Sequence, residues 1–233
     1  STLYIVATPI GNIEDITLRA IKTLKEVDVI ACEDTRHTQT MLTHLEIIGK
    51  RLIACHAHNE AASSQGIINL LAQGQTVAYC SDAGTPGVSD PGSRLVRAVR
   101  EAGFTVVPIP GPSASVTLIS ENGLAGKTFP FEGFLSPQSG GRKARLKELL
   151  ESEEAFIIYE SPLRISKTLE ELKALDDSRH MVLGREMTKA FEQFIYGTAS
   201  EVIAQLKVVK GEFALCVLPP DRQKNDEEDD EDK

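Results

Sequence analysis

The sequence predicts an α/β protein of two α/β domains, the first with a mainly parallel sheet and the second with a mixed one. Three observations carry this expectation. Short apolar runs alternate with amphipathic stretches through the first half of the chain. The runs are almost continuously apolar, and each ends in a cluster of polar, Gly and Pro residues. Continuous apolar strands separated by helices fit a parallel sheet covered on both faces. Ligands of such sheets bind beyond the carboxyl ends of the strands.

For the first domain, expected over residues 1–115, the strands are "LYIVA" (3–7), "VDVIACE" (27–33), "RLIACHA" (51–57), "TVAYCSD" (76–82) and "TVVPIP" (105–110). Between the first two, Ile16, Ala20 and Leu24 recur at helical spacing and define an inward face. Met41, Leu45 and Ile48 repeat the pattern after the second strand, as do Leu95, Val96 and Val99 after the fourth. Past residue 116 the rhythm changes, and a second domain is expected over 116–220. There "FPFEGFLS" reads as a strand, "GRKARLKELLE" as a helix and "AFIIYES" as a strand. "PLRISKTLEELKAL" reads as a helix with Pro162 in its first turn. "HMVLGREM", "EQFIYGTA" and "EFALCVLP" read as strands, the first two close enough to pair antiparallel. No internal repeat or long linker is visible, so the domains are expected to abut, with a ligand cleft between them.

Composition narrows the function classes. Hydrophobic content of 41% and charged content of 25% describe a soluble globular protein. No apolar run approaches the roughly 18 residues of a membrane span. The opening "STLYIVATPIGN" is a strand pattern without a basic leader, so no signal peptide is expected and a cytoplasmic location is. Cys32, Cys55, Cys80 and Cys216 sit in or at the ends of apolar runs and form no CxxC pair, which reads as buried, reduced thiols. Net charge is −9, but the stretch 221–233 holds eight acids and three bases, leaving −4 for the body. That stretch is expected to be a disordered acidic tail. The mild charge of the body does not exclude a nucleic-acid partner.

The five strand ends of the first domain read "TPIGN", "CEDTRHT", "CHAHNE", "SDAGTPG" and "PIPGPSAS". In a parallel sheet they share one edge. The fourth opens an unusually long loop, "CSDAGTPGVSDPGSRLV", with Gly84, Gly87, Gly92, Pro86 and Pro91. Glycines let a ligand approach the main chain, and prolines reduce the entropy lost on binding. No GxGxxG follows the first strand and no GxxxxGK[ST] occurs, which argues against an ordinary dinucleotide site or P-loop. A loop offering peptide groups suits a ligand of mixed polarity, such as a nucleoside with an amino-acid arm, better than a polyphosphate.

Taken together, "TPIGN", "EDTR", "HAHNE", "SDAGTPGVSDPG", "PGPSA", "YESPLR" and "REMTK" resemble the tetrapyrrole-methylase superfamily, and most closely its ribosomal small-subunit RNA (16S rRNA cytidine-1402) 2′-O-methyltransferases. The resemblance spans nearly all of residues 2–218. It implies S-adenosylmethionine (SAM) as cofactor, a homodimer, and methylation of a cytidine ribose in 16S rRNA or the small ribosomal subunit. The cofactor contacts it implies fall on Ser81, Asp82, Ala83, Gly84 and Val88, then Pro112, Ser113 and Ala114, then Tyr159, Glu160 and Ser161, and finally Phe213 and Ala214. The corrin and sirohaem branches carry a GDP-type triplet where this chain has "DAG" (82–84), and a glycine-rich opening where it has "TPIGN". Both departures favour the RNA branch. The alternatives are methylation of a tetrapyrrole or other small molecule, and a non-catalytic RNA-binding module.

Methyl transfer to a ribose hydroxyl gains from in-line positioning and from a base. The candidate bases are Asp34, Glu33 and His56, with His58 beside them; Arg36, His58 and Asn59 are candidate substrate contacts. Asp34 equally reads as a helix cap. His56 and His58, two apart on the expected strand, would share a face as an HxH pair, but no further ligand cluster is visible and no metal is expected. Glu160 with Arg164 reads equally as a helix-face ion pair, and Glu186 with Lys189 as surface charges. For RNA, "SGGRKARLK" (139–147) supplies Arg142, Lys143, Arg145 and Lys147 as a phosphate-tracking patch, with "RLVRAVR" (94–100) second. At 5% aromatic content no base-stacking platform is evident.

Overall fold

The fold is described from a computed structural model that covers residues 1–123 and 128–220. The acidic stretch 221–233 expected to be a disordered tail lies outside the described residues. Contacts gather into two compact units, Ser1–Thr117 and Leu118–Lys233.

The first unit holds five strands: β1 (Thr2–Val6), β2 (Val29–Cys32), β3 (Arg51–Ala54), β4 (Val77–Cys80) and β5 (Thr105–Ile109). They form one sheet in the order β3-β2-β4-β1-β5, and every pairing in it is parallel. Helices α1 (Leu18–Glu26), α2 (Thr35–His44), α3 (Glu60–Ala72) and α4 (Ser93–Glu101) connect them, and α5 (Ala114–Asn122) follows β5. Of the three inner strands, β2 and β4 are buried at every position, as their unbroken apolar runs require, and β1 is buried in part. The edge strand β3 is partly exposed.

Alternate residues of each strand feed two cores. Ile30, Cys32, Ala78 and Cys80 pack with Ile16, Ala20, Leu24 and Leu42 of the α1 and α2 side. Val29, Ala31, Val77 and Tyr79 pack with Ile67, Leu71, Leu95 and Val99 of α3 and α4. The connection from β1 passes over β4 toward β2, whereas that from β4 passes over β1 toward β5. The strand order therefore reverses between β1 and β4, the place where open α/β sheets bind ligands.

Helix α2 corrects one expected face. It ends at His44, Leu45 caps it and Glu46 takes a left-handed φ of 57°. The Ile47 N–H then donates back to the Leu42 carbonyl at 2.9 Å. This turn carries Ile47 inward at 3% exposure and leaves Ile48 outside at 88%. Helical spacing continued past the end of the helix had assigned Ile48 to the core.

The second unit is a mixed sheet of β6 (Phe131–Phe134), β7 (Phe156–Glu160), β8 (Met181–Arg185), β9 (Gln193–Gly197) and β10 (Phe213–Val217). Its order is β6-β7-β10-β8-β9. β6 and β7 run parallel and the other neighbours antiparallel, including the β8–β9 pair. Helices α6 (Ser139–Glu151), α7 (Ile165–Asp176) and α8 (Ala199–Gln205) complete it. Leu146, Leu149, Ile165, Leu169, Leu172 and Val202 cover Phe156, Ile158, Leu183 and Leu215. Arg179 is buried, and its guanidinium donates to the carbonyls of Leu218, Leu150 and Glu154 at 2.7, 3.1 and 2.9 Å. Helix α7 begins at Ile165, so Pro162 precedes the helix instead of occupying its first turn. The residues ahead of it form a turn in which the N–H groups of Arg164 and Ile165 both donate to the Ser161 carbonyl.

Neighbouring residues on one turn thus have opposite environments. Ile47→Ala is expected to cost about 2–4 kcal/mol and Ile48→Ala to stay within about 0.5 kcal/mol, as read by urea unfolding. Equal losses would show that the turn is misassigned.

Candidate active site at the carboxyl edge of the parallel sheet

The long loop after β4 is fixed at both ends. At its start, Gly84 exchanges main-chain hydrogen bonds with Thr8 beyond β1, Thr8 N–H to Gly84 O at 2.9 Å and Gly84 N–H to Thr8 O at 3.0 Å. Gly84 has a left-handed φ of 77°, and a Cβ there would meet Ile10 Cγ2 at 3.3 Å. The left-handed conformation favours glycine, and a side chain would press on Ile10. The Thr8 hydroxyl donates to the Ser81 carbonyl at 3.4 Å, and that of Thr85 to the Pro112 carbonyl at 3.1 Å. Loops after β1, β4 and β5 are thereby laced together at the point where the strand order reverses.

At its far end the loop runs into α4 through Gly92, which has no side chain to cap the helix. The carboxylate of Glu60, first residue of α3, does so instead. Its Oε1 accepts the N–H groups of Gly92, Arg94 and Leu95 at 3.0, 3.0 and 3.1 Å, and the residue is only 6% exposed. Gly92 stands at φ 127°, where a Cβ would lie 2.9 Å from the Tyr79 ring. Sequence reasoning missed Glu60 and Thr8. The bare helix start at Gly92 was the available signal, but nothing local says which residue answers it.

Beside the loop, the ends of β2 and β4 are cross-linked. Asp82 Oδ1 accepts the Asp34 N–H at 3.0 Å, and the Asp82 N–H donates to Glu33 Oε2 at 3.4 Å. Asp34 caps α2, accepting the Arg36 N–H at 2.8 Å, and pairs with the Arg36 guanidinium at 3.1 Å. Hydrogen bonds from the Arg36 side chain, and then from its N–H, hold the Asp34 carboxyl at about 2. So acidic a group is ionised but a weak base. Arg36 remains highly exposed and available to an anion.

Glu33 differs. Burial pushes its carboxyl above the usual range, and the Asp82 carboxylate adds to the push, against the opposing Asp82 N–H and the neighbouring His56. A raised carboxyl beside charged neighbours at a sheet edge marks a functional candidate. His56 and His58 do not share a strand face, because β3 stops at Ala54. Asn59 shapes a turn there, its Oδ1 accepting the His56 N–H at 2.7 Å and its Nδ2 donating to Ala54 O at 3.2 Å. Asn59 is thus committed to the turn rather than free to read a base. The two imidazoles still lie 6.1 Å apart, and His56 Nδ1 is buried without a hydrogen-bond partner. Among the described residues no group of three or more His, Cys, Asp and Glu is arranged to hold a metal.

Ser81 is buried, with its hydroxyl donating to Ala83 O at 3.4 Å; Asp82, Ala83, Val88, Pro112, Ser113 and Ala114 are partly exposed along the rim. In the second unit, register pairs Tyr159 with Ala214 and Glu160 with Phe213, so these four cofactor candidates are cross-strand neighbours, with Ser161 next in the chain. Tyr159 also meets Phe131 and Phe134 edge to face at 4.9 and 5.9 Å. Glu160 is the last residue of β7, so its contact with Arg164 is not a helix-face pair. It is buried, accepting from Ser161 N–H at 2.7 Å, Thr168 Oγ1 at 2.9 Å and Arg164 Nε at 2.8 Å. Glu186 and Lys189 are more than surface charges. Glu186 accepts from Lys189 Nζ at 3.0 Å and from Glu212 N–H at 2.9 Å, tying the turn after β8 to the approach to β10.

The basic segment 139–147 is largely neutralised. Arg142 is 2% exposed, with Nε and Nη2 on the two Glu171 oxygens at 2.6 and 2.7 Å. It faces the core because position 142 shares the inward side of α6 with Leu146 and Leu149. Arg145 is divided between Glu132 and Glu148, both at 2.7 Å, and Lys147 lies 3.7 Å from Glu151. Of the four expected phosphate contacts, Lys143 alone is exposed without such a pair. Spacing revealed the charges but not their partners on β6 and α7.

Comparisons with known proteins bear on the family and the fold. A family model described as "Tetrapyrrole (Corrin/Porphyrin) Methylases" matches residues 2–203. A Halalkalibacterium halodurans protein named ribosomal RNA small subunit methyltransferase I is 45% identical over 218 residues, 93% of this chain and 75% of its own. A protein of the same name from Escherichia coli O157:H7 is 46% identical over 229 residues, 96% of this chain and 80% of its own. Among solved structures, a diphthine synthase superposes with a TM-score of 0.75 at 17% identity, covering 94% of this chain and 90% of the other. A Thermus thermophilus uroporphyrin-III-C-methyltransferase does so with a TM-score of 0.64 at 19% identity, covering 93% and 94%. At such identities the likeness is one of fold.

Substitutions at two residues test the structural assignments. Glu60→Ala strands three helix-start N–H groups and is expected to cost roughly 2–3 kcal/mol, Glu60→Gln less because an amide oxygen still accepts. Arg142→Ala leaves Glu171 buried and unpaired, costing about 3–5 kcal/mol; a change under about 0.5 kcal/mol would mark it as a surface cation after all. Thermal and denaturant melts report both.

Proposed function

The chain belongs to the tetrapyrrole (corrin/porphyrin) methylase family, and from that premise we propose that it is a SAM-dependent methyltransferase. Its acceptor is the 2′-hydroxyl of a cytidine ribose in small-subunit ribosomal RNA. The observation that carries this reading is the identity of about 45% over more than nine-tenths of the chain to proteins named ribosomal RNA small subunit methyltransferase I. A homodimer working in the cytoplasm belongs to the same reading.

The donor set fits the cofactor. Residues 81–92 and 110–115 contain no Lys or Arg and two aspartates, Asp82 and Asp90. Such a rim, rich in peptide groups and mildly acidic, suits a cationic nucleoside with an amino-acid arm and disfavours a polyphosphate. When bound, the cofactor supplies a methyl group activated by its sulfonium. Ser81 to Gly84 with Val88, and Pro112 to Ala114, would hold it, and the family resemblance adds Tyr159 to Ser161, Phe213 and Ala214 as candidate contacts.

The chain's own residues then have distinct tasks. Glu33 takes the proton of the ribose hydroxyl onto its carboxylate. Asp34 stays ionised and aims Arg36, whose exposed guanidinium neutralises a substrate phosphate. His56, facing Glu33, favours its ionised form. With the proton held on Glu33, the enzyme's contribution is positioning and deprotonation.

Incubation with methyl-labelled SAM and small ribosomal subunits lacking the modification is expected to place label on a cytidine ribose of the RNA. Labelling of a porphyrinoid acceptor instead would overturn the reading. Glu33→Gln is expected to lower kcat by at least about 100-fold while SAM affinity in calorimetry stays unchanged. Because the base must be ionised and burial raises its carboxyl, kcat should climb with pH through a value above the usual glutamate pKa of about 4.3. A flat profile would remove Glu33 from the role.

A further inference from the structure

With segment 139–147 neutralised, the protein's unpaired arginines lie elsewhere. Arg94, Arg97 and Arg100 recur every three residues along α4, and all three are exposed. Leu95 and Val99 bury the opposite face of the helix. At 100° per residue, Arg97 points directly away from that buried pair and the other two flank it. Among the described residues none of the three takes part in an ion pair, although Glu101 follows within a helical turn of Arg97.

Arg94 also violates a local rule. It stands in the first turn of α4, where the helix dipole disfavours a cation, and the N–H groups that could bind an anion are already taken by Glu60. A charge kept at a small cost, without a partner, in a chain of net −9, points outward to a ligand of opposite sign. The helix starts one residue beyond the loop that ends at Gly92, so the stripe begins at the edge carrying the candidate site. At 1.5 Å per residue it extends about 9 Å, the reach of two to three backbone phosphates.

We propose that Arg94, Arg97 and Arg100 form the docking stripe for the sugar–phosphate backbone of the RNA segment that delivers the target ribose to the rim. The stripe rests on the proposed rRNA methylation and names where that substrate is held. It tracks backbone charge and is indifferent to base sequence. Its contribution weakens with salt, each phosphate contact adding about 0.7–0.9 to the slope of log affinity against log salt concentration.

The test uses the full chain with SAM and small-subunit RNA, comparing wild type with Arg94→Gln/Arg97→Gln/Arg100→Gln. The triple variant is expected to raise KM for RNA by about tenfold or more at near-physiological salt, and to lower the salt slope by about 2–3. Its kcat, SAM affinity and melting temperature should match wild type; arginines with a structural role would lower the melt. Should the triple variant fold poorly, Arg97→Gln alone, at the outermost position, is expected to lower the slope by about 1. An active variant with unchanged KM and salt slope overturns the stripe and leaves rRNA methylation standing. A parallel loss of SAM and RNA affinity also overturns it, since the stripe would then be supporting the cofactor loop. If wild type itself transfers no methyl to rRNA, the underlying reading fails, and the stripe with it.

Discussion

The site depends on how one stretch of main chain is held. A loop containing Gly84, Gly87 and Gly92 would be costly to order on binding if it were free. Here it is ordered beforehand by Thr8 at its start and by the Glu60 carboxylate at its end. The two anchors come from elements that the parallel topology brings to the same edge, β1 beside β4 and α3 beside α4. Remove either, and the glycines that allow close approach become a source of disorder. Sheet order, buried carboxylate and ligand loop are therefore one device.

Glu60 also joins two parts of the candidate site. It directly follows Asn59, which folds the histidine turn through its contacts with His56 and Ala54. A shift in α3 would move His56 and the loop together. The Glu33–Asp82–Asp34 cross-links couple the same loop to the acidic strand end. The candidate cofactor contacts and the candidate base thus share one hydrogen-bonded framework at neighbouring strand ends.

The sequence was most readable where a pattern is repeated locally. Continuous apolar runs placed all five parallel strands, and turn residues at their ends placed the rim, because both follow from side-chain period and backbone preference. The mixed second sheet and the β8–β9 pair followed from short spacing. Misreadings began where a local pattern outran its element. Helical spacing carried Ile48 into the core past a left-handed Glu46, and strand alternation put His56 and His58 on one face beyond the end of β3. Partners remote in sequence were invisible: Glu171 for Arg142, Glu132 for Arg145, Glu60 for α4. For this reason the basic segment on α6 looked like the better RNA surface, while the arginines of α4, similar in spacing, make no ion pair among the described residues. Charge counts alone cannot separate the two cases; Glu132 and Glu171, which pair with Arg145 and Arg142, lie 13 and 29 residues away from them.

If the pinned loop is the methyl-donor site, SAM should slow amide hydrogen exchange first and most strongly in residues 81–92 and 110–115. Exchange measured by mass spectrometry with and without SAM tests this directly. Protection centred on those two loops, with the outer faces of α1 and α2 unchanged, is the expected result. Protection confined to other segments, with both loops exchanging as in the free protein, would contradict the account.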